Sequence, residues 1–587
     1  MYSYGKPGQV IGKRLRILTS ADDQGHTATD DLNASWSYDN EGRLTGVTYP
    51  VDANYISQFG PAPAYTYTYN GLGQLNGMTD NNNNGASVVN GVTYNPAGQL
   101  TQMISSSGTE TRSYNNMGQL TNITVPGAIN LTYTYSTSGQ NNGKILSQTD
   151  AITGETVTHA YDSLNRLICS YGGNSSVQAA NCPTNPAGAV WGQGFQYDGF
   201  GNLTAKNVLA GAVPTLSVGI DPNTNHIIGQ SYDANGNMLS SPTGSPLGYD
   251  AENRLTSTVQ YGNPNSMEYA YDGQNKRVWS CAFDTNAWQS SVDQYNVTSQ
   301  KFYFYGPDGR LLSTFTPKYM AAYRNYTQTF PPTLTMSAPA TRLYFGSRLL
   351  GNEDRLGSHD RYYPYGEDRG SNPGDGSVTF ATYTRDSATG LNYADQRYYA
   401  SGWGRFNSPD PYVAIAATAE PQSWNRYSYV QNDPVNYGDR RGLYRTAQEC
   451  IEDPDSCLAE DEPTMIFISL GDDSNERSLP NQRVYDDGSR VPIFQVDSSG
   501  TILLGTINWD AIFNYAATTA IPLPVPAGGT WTLDGLLQWL AKLPNPWLVA
   551  LAFSFGNAGT HDILPPNKSR CPDKDHFWEP QKPPHDG

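Results

Sequence analysis

Residues able to do acid–base or metal chemistry gather in the last third of this 587-residue chain. Arg397 opens "RYY", Asp410 stands in "SPDP", Asp433 in "NDP" and Asp439 in "GDRRGL". Taken alone, an aspartate in an Asp-Pro or Gly-Asp phrase caps its own turn through its carboxylate. His359, in "LGSHDRYY", has no second histidine nearby and reads as a surface turn residue rather than a base or a ligand. His561, Asp562, Cys571, His576 and His585 crowd the C-terminus. Such residues can hold a metal, but their spacing matches no ligand signature, and a Pro-rich disordered end accounts for them. The glycine-rich "GSNPGDGS" lacks the lysine of a phosphate loop and the strand-to-helix setting it needs, and no Asp-x-Asp-x-Asp-Gly spacing marks a calcium loop. No cofactor and no metal are expected.

The elements that hold these residues must be strands. Gly (58), Pro (39) and Tyr (41) fill a chain that is only 37% hydrophobic and 15% charged, a balance that favours strands and turns over long helices. The 41 Tyr against 17 Phe call for aromatic rings whose hydroxyls reach water or a partner. A phrase of the form Tyr-Asp/Asn-x-x-Gly/Asn-x-Leu recurs from Tyr38, Tyr69, Tyr94, Tyr114, Tyr161, Tyr197, Tyr232, Tyr249, Tyr271 and Tyr305, for instance "YDNEGRLTGVT" and "YNGLGQLNGMT". Its Tyr ends an incoming strand and its Asp or Asn accepts from the backbone two residues on. Its Gly, or Asn at Asn165, Asn253 and Asn275, takes the positive φ of a tight reversal, and its Leu starts the outgoing strand. A strip of such hairpins, polar on both faces, must curl around a cavity or be capped to escape its open edges.

The repeated phrase resembles the YD repeat of the RHS family, which includes teneurins and the C subunits of insecticidal toxin complexes, over roughly residues 2–443. The resemblance implies an all-β fold in which the hairpin strip curls into a hollow β-shell. "LGSHDRYYPYGE", "TRDSATGLNYADQRYYASGWGRFNSPDP" and "NRYSYVQNDPVNYGDRRGL" resemble the RHS repeat-associated core. It implies three divisions: repeats over 1–342, the core over 343–443, and a variable tail over 444–587 at the position of a toxin-like cargo. In relatives with such a cargo the core is similar to an aspartyl peptidase that cuts its own chain. Two carboxylates too close to ionise together share a proton, one polarising the scissile carbonyl and the other activating water. The resemblance places these roles on Asp410 and Asp439, with Arg397 orienting or charge-balancing one carboxylate, and puts the cut between Leu443 and Tyr444. Two departures stand out: Arg440 replaces the usual proline, setting two cations beside Asp439, and "AIAATAEPQSW" lengthens the interval between the two acids. Asp433, where relatives carry Asn, is the reserve member of the pair.

From Tyr444 onward 20 acidic residues face 9 basic ones, within a chain whose net charge is −18. The first 443 residues carry the remaining −7, so no nucleic-acid stripe is expected on the shell. Residues 444–462 read as an acidic linker. "TMIFISLG" and "VPIFQVDSSGTILLGTI" are strand-like, and "TWTLDGLLQWLAKL" reads as an amphipathic helix capped by Thr532 and stopped by Pro544. A small α+β or partly disordered tail is the expectation. Cys169 and Cys182, like Cys450 and Cys457, fit either free thiols or a bond. No apolar run is long enough to span a bilayer and the first residues lack a signal-peptide core, so secretion or surface display would use a route not encoded here, from the cytoplasm. The functional expectation is a β-shell that releases its tail and holds it as an internal partner. The alternatives are a non-catalytic, teneurin-like adhesion module binding carbohydrate or a cell-surface protein, and a degenerate remnant that no longer cuts.

Overall fold

The computed structural model describes residues 1–5, 8–18, 29–258 apart from 138, 140, 175, 178 and 180, 266–283, 300–320, 333–350 apart from 347, 361–411 apart from 371 and 372, 421–443, 446–447, 490–497 and 500–508. The YD phrases from Tyr38 to Tyr271 fold as turns stitched by the Asp or Asn that follows the tyrosine. In the first, Asp39 N donates to the Arg43 carbonyl (3.0 Å) and Gly42 N to the Asp39 carbonyl (3.1 Å). Oδ1 of Asp39 accepts from Glu41 N and Arg43 N, both at 2.9 Å, while Oδ2 accepts from Arg43 Nε at 2.7 Å. Gly42 sits at φ +84°, and Asn165, Asn253 and Asn275 take the same left-handed region at 62°, 64° and 61°. That region is open to glycine and tolerated by asparagine. The sixth residue of the phrase answers the second: Asp162 pairs with Arg166 and Asp250 with Arg254 as ion pairs, whereas Asn70, Asn95 and Asn115 donate to the amides of Gln74, Gln99 and Gln119.

Neighbouring hairpins are tied through the tyrosines. The hydroxyl of Tyr69 donates to the carbonyl of Leu44, that of Tyr94 to Leu75, Tyr114 to Leu100, Tyr135 to Leu120, Tyr161 to Ile145 and Tyr197 to Leu167, at 2.5–2.9 Å. Each acceptor is the residue that opens the outgoing strand of the preceding hairpin. Where the sixth residue is Arg, its guanidinium also lies over the next tyrosine, Arg43 on Tyr69 and Arg166 on Tyr197, both at 4.8 Å, an added cation–π attraction. Tyr135 belongs to this ladder although its turn is longer than the phrase, with Ile145 in place of Leu.

The strands so joined run in sequence order, each antiparallel to the next, as one seventeen-stranded sheet from Tyr2–Tyr4 to Leu216–Ser217. The ladder then lapses. The Tyr232 hydroxyl accepts from Ile227 N and the Tyr249 hydroxyl is buried with no partner. There the sheet also breaks into isolated bridges, before a seven-stranded sheet begins at Gly248–Tyr249. In that sheet the ladder resumes, Tyr271 to Leu255 and Tyr305 to Arg277.

Strict alternation decides which face is buried. The strand Thr29–Tyr38 places Leu32, Ala34 and Trp36 inward and Asn33 and Ser35 outward. Those inward side chains, with Tyr49 and Met78, pack against Trp279, Phe302, Phe304 and Phe315 of the second sheet in one apolar cluster. Tyr49 and Tyr67 extend it by donating to the carbonyls of Arg342 (2.9 Å) and Tyr344 (3.0 Å). The strip therefore curls back on the later sheet and is capped by packing along this stretch. Cys169 and Cys182 form a disulfide, so the bonded alternative holds for that pair.

A buried four-stranded sheet, Thr384–Asp386, Leu391–Ala394, Arg397–Ala400 and Arg405–Phe406, carries the core segment. Buried ion pairs fasten it and its flanks to the hairpins: Lys206 to Glu367, Lys276 to Asp395, Arg277 to Asp386 (3.3 Å), Arg348 to Glu110 and Arg369 to Glu155 (2.6 Å). Burial pushes Glu367 and Asp395 up and Lys206 down, against the pull of their partners. In the tail, the strand pair read from "VPIFQVDSSGTILLGTI" is an antiparallel hairpin, Arg490–Asp497 with Gly500–Asn508. The linker, the strand at "TMIFISLG", the helix after Thr532, the terminal His/Cys group, His359 and the Cys450–Cys457 pair lie outside the described residues.

Two expectations follow from these contacts. Tyr114→Phe removes one rung and leaves the Leu100 carbonyl unpaired, so urea denaturation should show a loss of about 1 kcal/mol. Asp52 caps the helix Ala53–Phe59 through Tyr55 N (2.7 Å) and accepts from Met336 N (3.1 Å), while burial and then the charge of Asp52 push Asp30 up to about 7. The folded chain thus holds a proton that the unfolded chain loses near the ordinary carboxylate range. Stability is fully present below that range and falls as pH rises through about 7. Asp30→Asn should flatten this slope and raise stability at pH 8 by roughly 1 kcal/mol, a figure reduced for solvent screening of a half-buried pair.

Candidate functional site

Arg397 follows a two-residue reversal, Asp395-Gln396, in which Ala394 pairs with Arg397 and Asp395 takes φ +68°. This tight turn aims the guanidinium back across Phe406, whose ring lies 3.7 Å beneath it. Four groups surround the planar fork. Nε donates to the Gly442 carbonyl, Nη1 to the Arg426 carbonyl at 3.2 Å, and Nη2 lies 3.1 Å from Asp410 Oδ2 and 3.3 Å from Asp439 Oδ2. The three residues assigned by resemblance are thus brought onto one nitrogen from three separate segments.

Asp439 is the more deeply buried acid, with 4% of its side chain exposed against 19% for Asp410. Its Oδ1 accepts from Leu443 N at 2.9 Å and its backbone carbonyl from the Tyr383 hydroxyl. Tyr383, Tyr399, Phe406 and Tyr429 wall the site, with ring centroids 4.6–6.5 Å apart. Burial in this wall raises the Tyr383 and Tyr399 hydroxyls well above their usual range. The chain before the proposed cut passes against the Asp395-Gln396 turn, where Gln396 N donates to the Arg441 carbonyl at 3.1 Å. Only glycine fits next: Gly442 has φ +66°, and a Cβ there would stand 2.8 Å from the Ala394 carbonyl. Leu443 is half-buried, and Tyr444 lies outside the described residues.

Arg397 lies on the Asp439 carboxylate, and Arg441 reaches Asp308, donating to its carbonyl at 3.0 Å. Asp433 is drawn to a different place. It pairs with Lys144 and accepts from Asn436 Nδ2 at 2.7 Å, and Asn436 Nδ2 also donates to the Tyr161 hydroxyl at 3.0 Å. Burial raises the Asp433 carboxyl, with Lys144 opposing. Asp433 therefore anchors the segment to the hairpin strip. Sequence reasoning missed Arg426, Tyr383, Phe406 and Lys144, whose roles come from contacts 9 to 289 positions away along the chain and leave no local pattern. Among the described residues no cluster of His, Cys, Asp and Glu is arranged to hold a metal.

Asp433→Asn strands the buried Lys144 without a counter-charge. The expected loss is about 3–5 kcal/mol, read as a lowered urea midpoint with an unchanged denaturant slope.

Comparison with known proteins bears on the repeats and the fold. The profile described as RHS Repeat matches residues 94–128, the hairpins opened by Tyr94 and Tyr114. No curated protein matches the sequence. Among solved structures, the chain is similar to the crystal structure of TcdB2-TccC3-TEV (TM-score 0.52, 20% identity, 75% of this chain and 23% of that one) and to that of TcdB2-TccC3 (0.51, 20%, 75% and 24%). It is also similar to the Photorhabdus luminescens Tc holotoxin pore (0.52, 19%, 76% and 23%). The chain spans about a quarter of the length of these solved chains, and at this identity the likeness speaks for the fold. The chain thus carries the RHS repeat at residues 94–128 and shares, in its stitched turns and its tyrosine ladder, the fold of these toxin-complex structures.

Proposed function

We propose that the core segment cuts its own chain between Leu443 and Tyr444 and so frees the tail. The observation that carries this reading is the placement of Asp410 Oδ2 and Asp439 Oδ2 on one nitrogen of Arg397, while the same guanidinium holds the Gly442 carbonyl and Asp439 holds Leu443 N. Two carboxylates against one guanidinium leave a net charge of −1, which a single shared proton neutralises. The pair then titrates as a unit. One carboxyl donates its proton toward the Leu443 carbonyl while the other takes a proton from water; the water oxygen bonds to the carbonyl carbon. The C–N bond then breaks as the Tyr444 nitrogen is protonated.

The divisions at 343 and 443, an internal partnership of tail and shell, and export by a route outside this chain belong to the same proposal. A second reading has an observation in its favour. Arg397 is buried, stacked on Phe406 and bonded to two backbone carbonyls, as a purely structural clamp would be, and a cation shared by both acids favours their ionised forms. On that reading the chain is a binding module, teneurin-like in its repeats, or a remnant that stays whole.

Expression of the full chain separates the two. Cleavage should yield a fragment of about 16 kDa out of 64.1 kDa whose N-terminus is Tyr444. Asp410→Asn or Asp439→Asn should slow its release by at least about a hundredfold, the loss of one acid–base partner. A wild-type chain that stays intact over days rejects the peptidase and leaves the clamp.

A further inference from the structure

Arg426 meets Arg397 once and the Asp410 backbone at both its amide and its carbonyl. Its carbonyl accepts from Arg397 Nη1 at 3.2 Å and from Asp410 N at 2.8 Å, and its own side chain returns to grip the Asp410 carbonyl through Nε (2.7 Å) and Nη2. The contacts close a ring in which the Asp410 carboxylate lies on Arg397, Arg397 on the Arg426 carbonyl, and Arg426 on the Asp410 backbone. Asp410 stands between Pro409 and Pro411, and proline has no N–H. The Asp410 amide is therefore the one backbone donor in this three-residue run, and Arg426 takes it. The Arg426 guanidinium is spent on a neutral carbonyl, so its charge is not cancelled there and adds a second cation beside the pair.

We propose that Arg426 is a positioning residue: it fixes the Asp410 backbone so that the carboxylate meets Asp439 on Arg397, and its charge sets the pH at which the pair works. The proposal rests on the self-cleavage reading for its kinetic part. A cation near a carboxylate favours the ionised form. Removing Arg426 therefore makes the pair easier to protonate fully and moves the acid limb of the pH–rate profile to higher pH.

The test uses the full chain translated in vitro, with cleavage timed across a series of pH values for wild type, Arg426→Ala and Arg426→Lys. Arg426→Ala should cut about tenfold or more slowly, with its acid limb displaced upward by about one pH unit, and Arg426→Lys should restore most of both. A wild-type rate and profile in Arg426→Ala overturns the proposal. So does an equal slowing at every pH that Arg426→Lys does not relieve, the mark of lost stability alone. A second measurement, in the uncut Asp439→Asn chain, follows hydrogen exchange at the Asp410 amide. Arg426→Ala should speed it by about tenfold or more as local opening becomes cheaper, and unchanged exchange overturns the positioning role. If the wild-type chain never cuts, the peptidase reading fails while the exchange result still decides whether Arg426 holds Asp410.

Discussion

The hydrogen bond from each repeat tyrosine to the carbonyl that opens the preceding hairpin's outgoing strand is the contact on which the rest of this structure depends. A hairpin on its own is marginal in water, and backbone pairing between neighbours does not by itself fix register along a long strip. The hydroxyl does, because it reaches its carbonyl only when consecutive turns are stacked in step. Where it finds that carbonyl, from Tyr38 to Tyr197 and again from Tyr271, the sheet is continuous; where it does not, at Tyr232 and Tyr249, the sheet has broken. This accounts physically for an excess of tyrosine over phenylalanine, since the ring is buried against its neighbour and the oxygen is the register mark.

A strip held in register can carry long-range fastenings without tolerance for error. Lys144, Lys206 and Lys276 each stand in or beside the outgoing strand of a hairpin, and each meets an acid of the segment between Glu367 and Asp433. Buried ion pairs of this kind add little net stability, because desolvation offsets their attraction. They do penalise every arrangement that leaves a charge unpaired. The core segment is therefore located by a set of charges spread over several hairpins, which suits a site that needs three separate segments in one place.

At that site the governing quantity is charge balance. Arg397 answers both Asp410 and Asp439, and Phe406 beneath it and the tyrosine wall around it shield Arg397 and Asp439 from water, while Asp410 keeps a partly exposed edge. The chain turns at Gly442, Arg441 is carried to Asp308, and the carboxylate of Asp439 stays on Arg397.

The sequence by itself determined the repeating unit. Strand ends at Tyr and Leu, the aspartate stitch, the positive φ of Gly or Asn and the pairing of Asp with Arg or Asn with Gln are all local, so one phrase contains everything its turn requires. The resemblance in the core segment also named Arg397, Asp410 and Asp439. What the order of residues left open was decided by tertiary structure, because it depends on contacts between distant segments. The ladder's acceptors are backbone carbonyls, which leave no trace in side-chain identity. Tyr135 was hidden by a longer turn. Asp433, close in sequence to Asp439 and equally acidic, was claimed by Lys144 from a hairpin 289 residues earlier, and Arg426 acquired its place because the chain folds back on Asp410. A carboxylate's environment, and so its chemistry, is set by whichever charges the fold brings to it, and only the folded chain decides which those are.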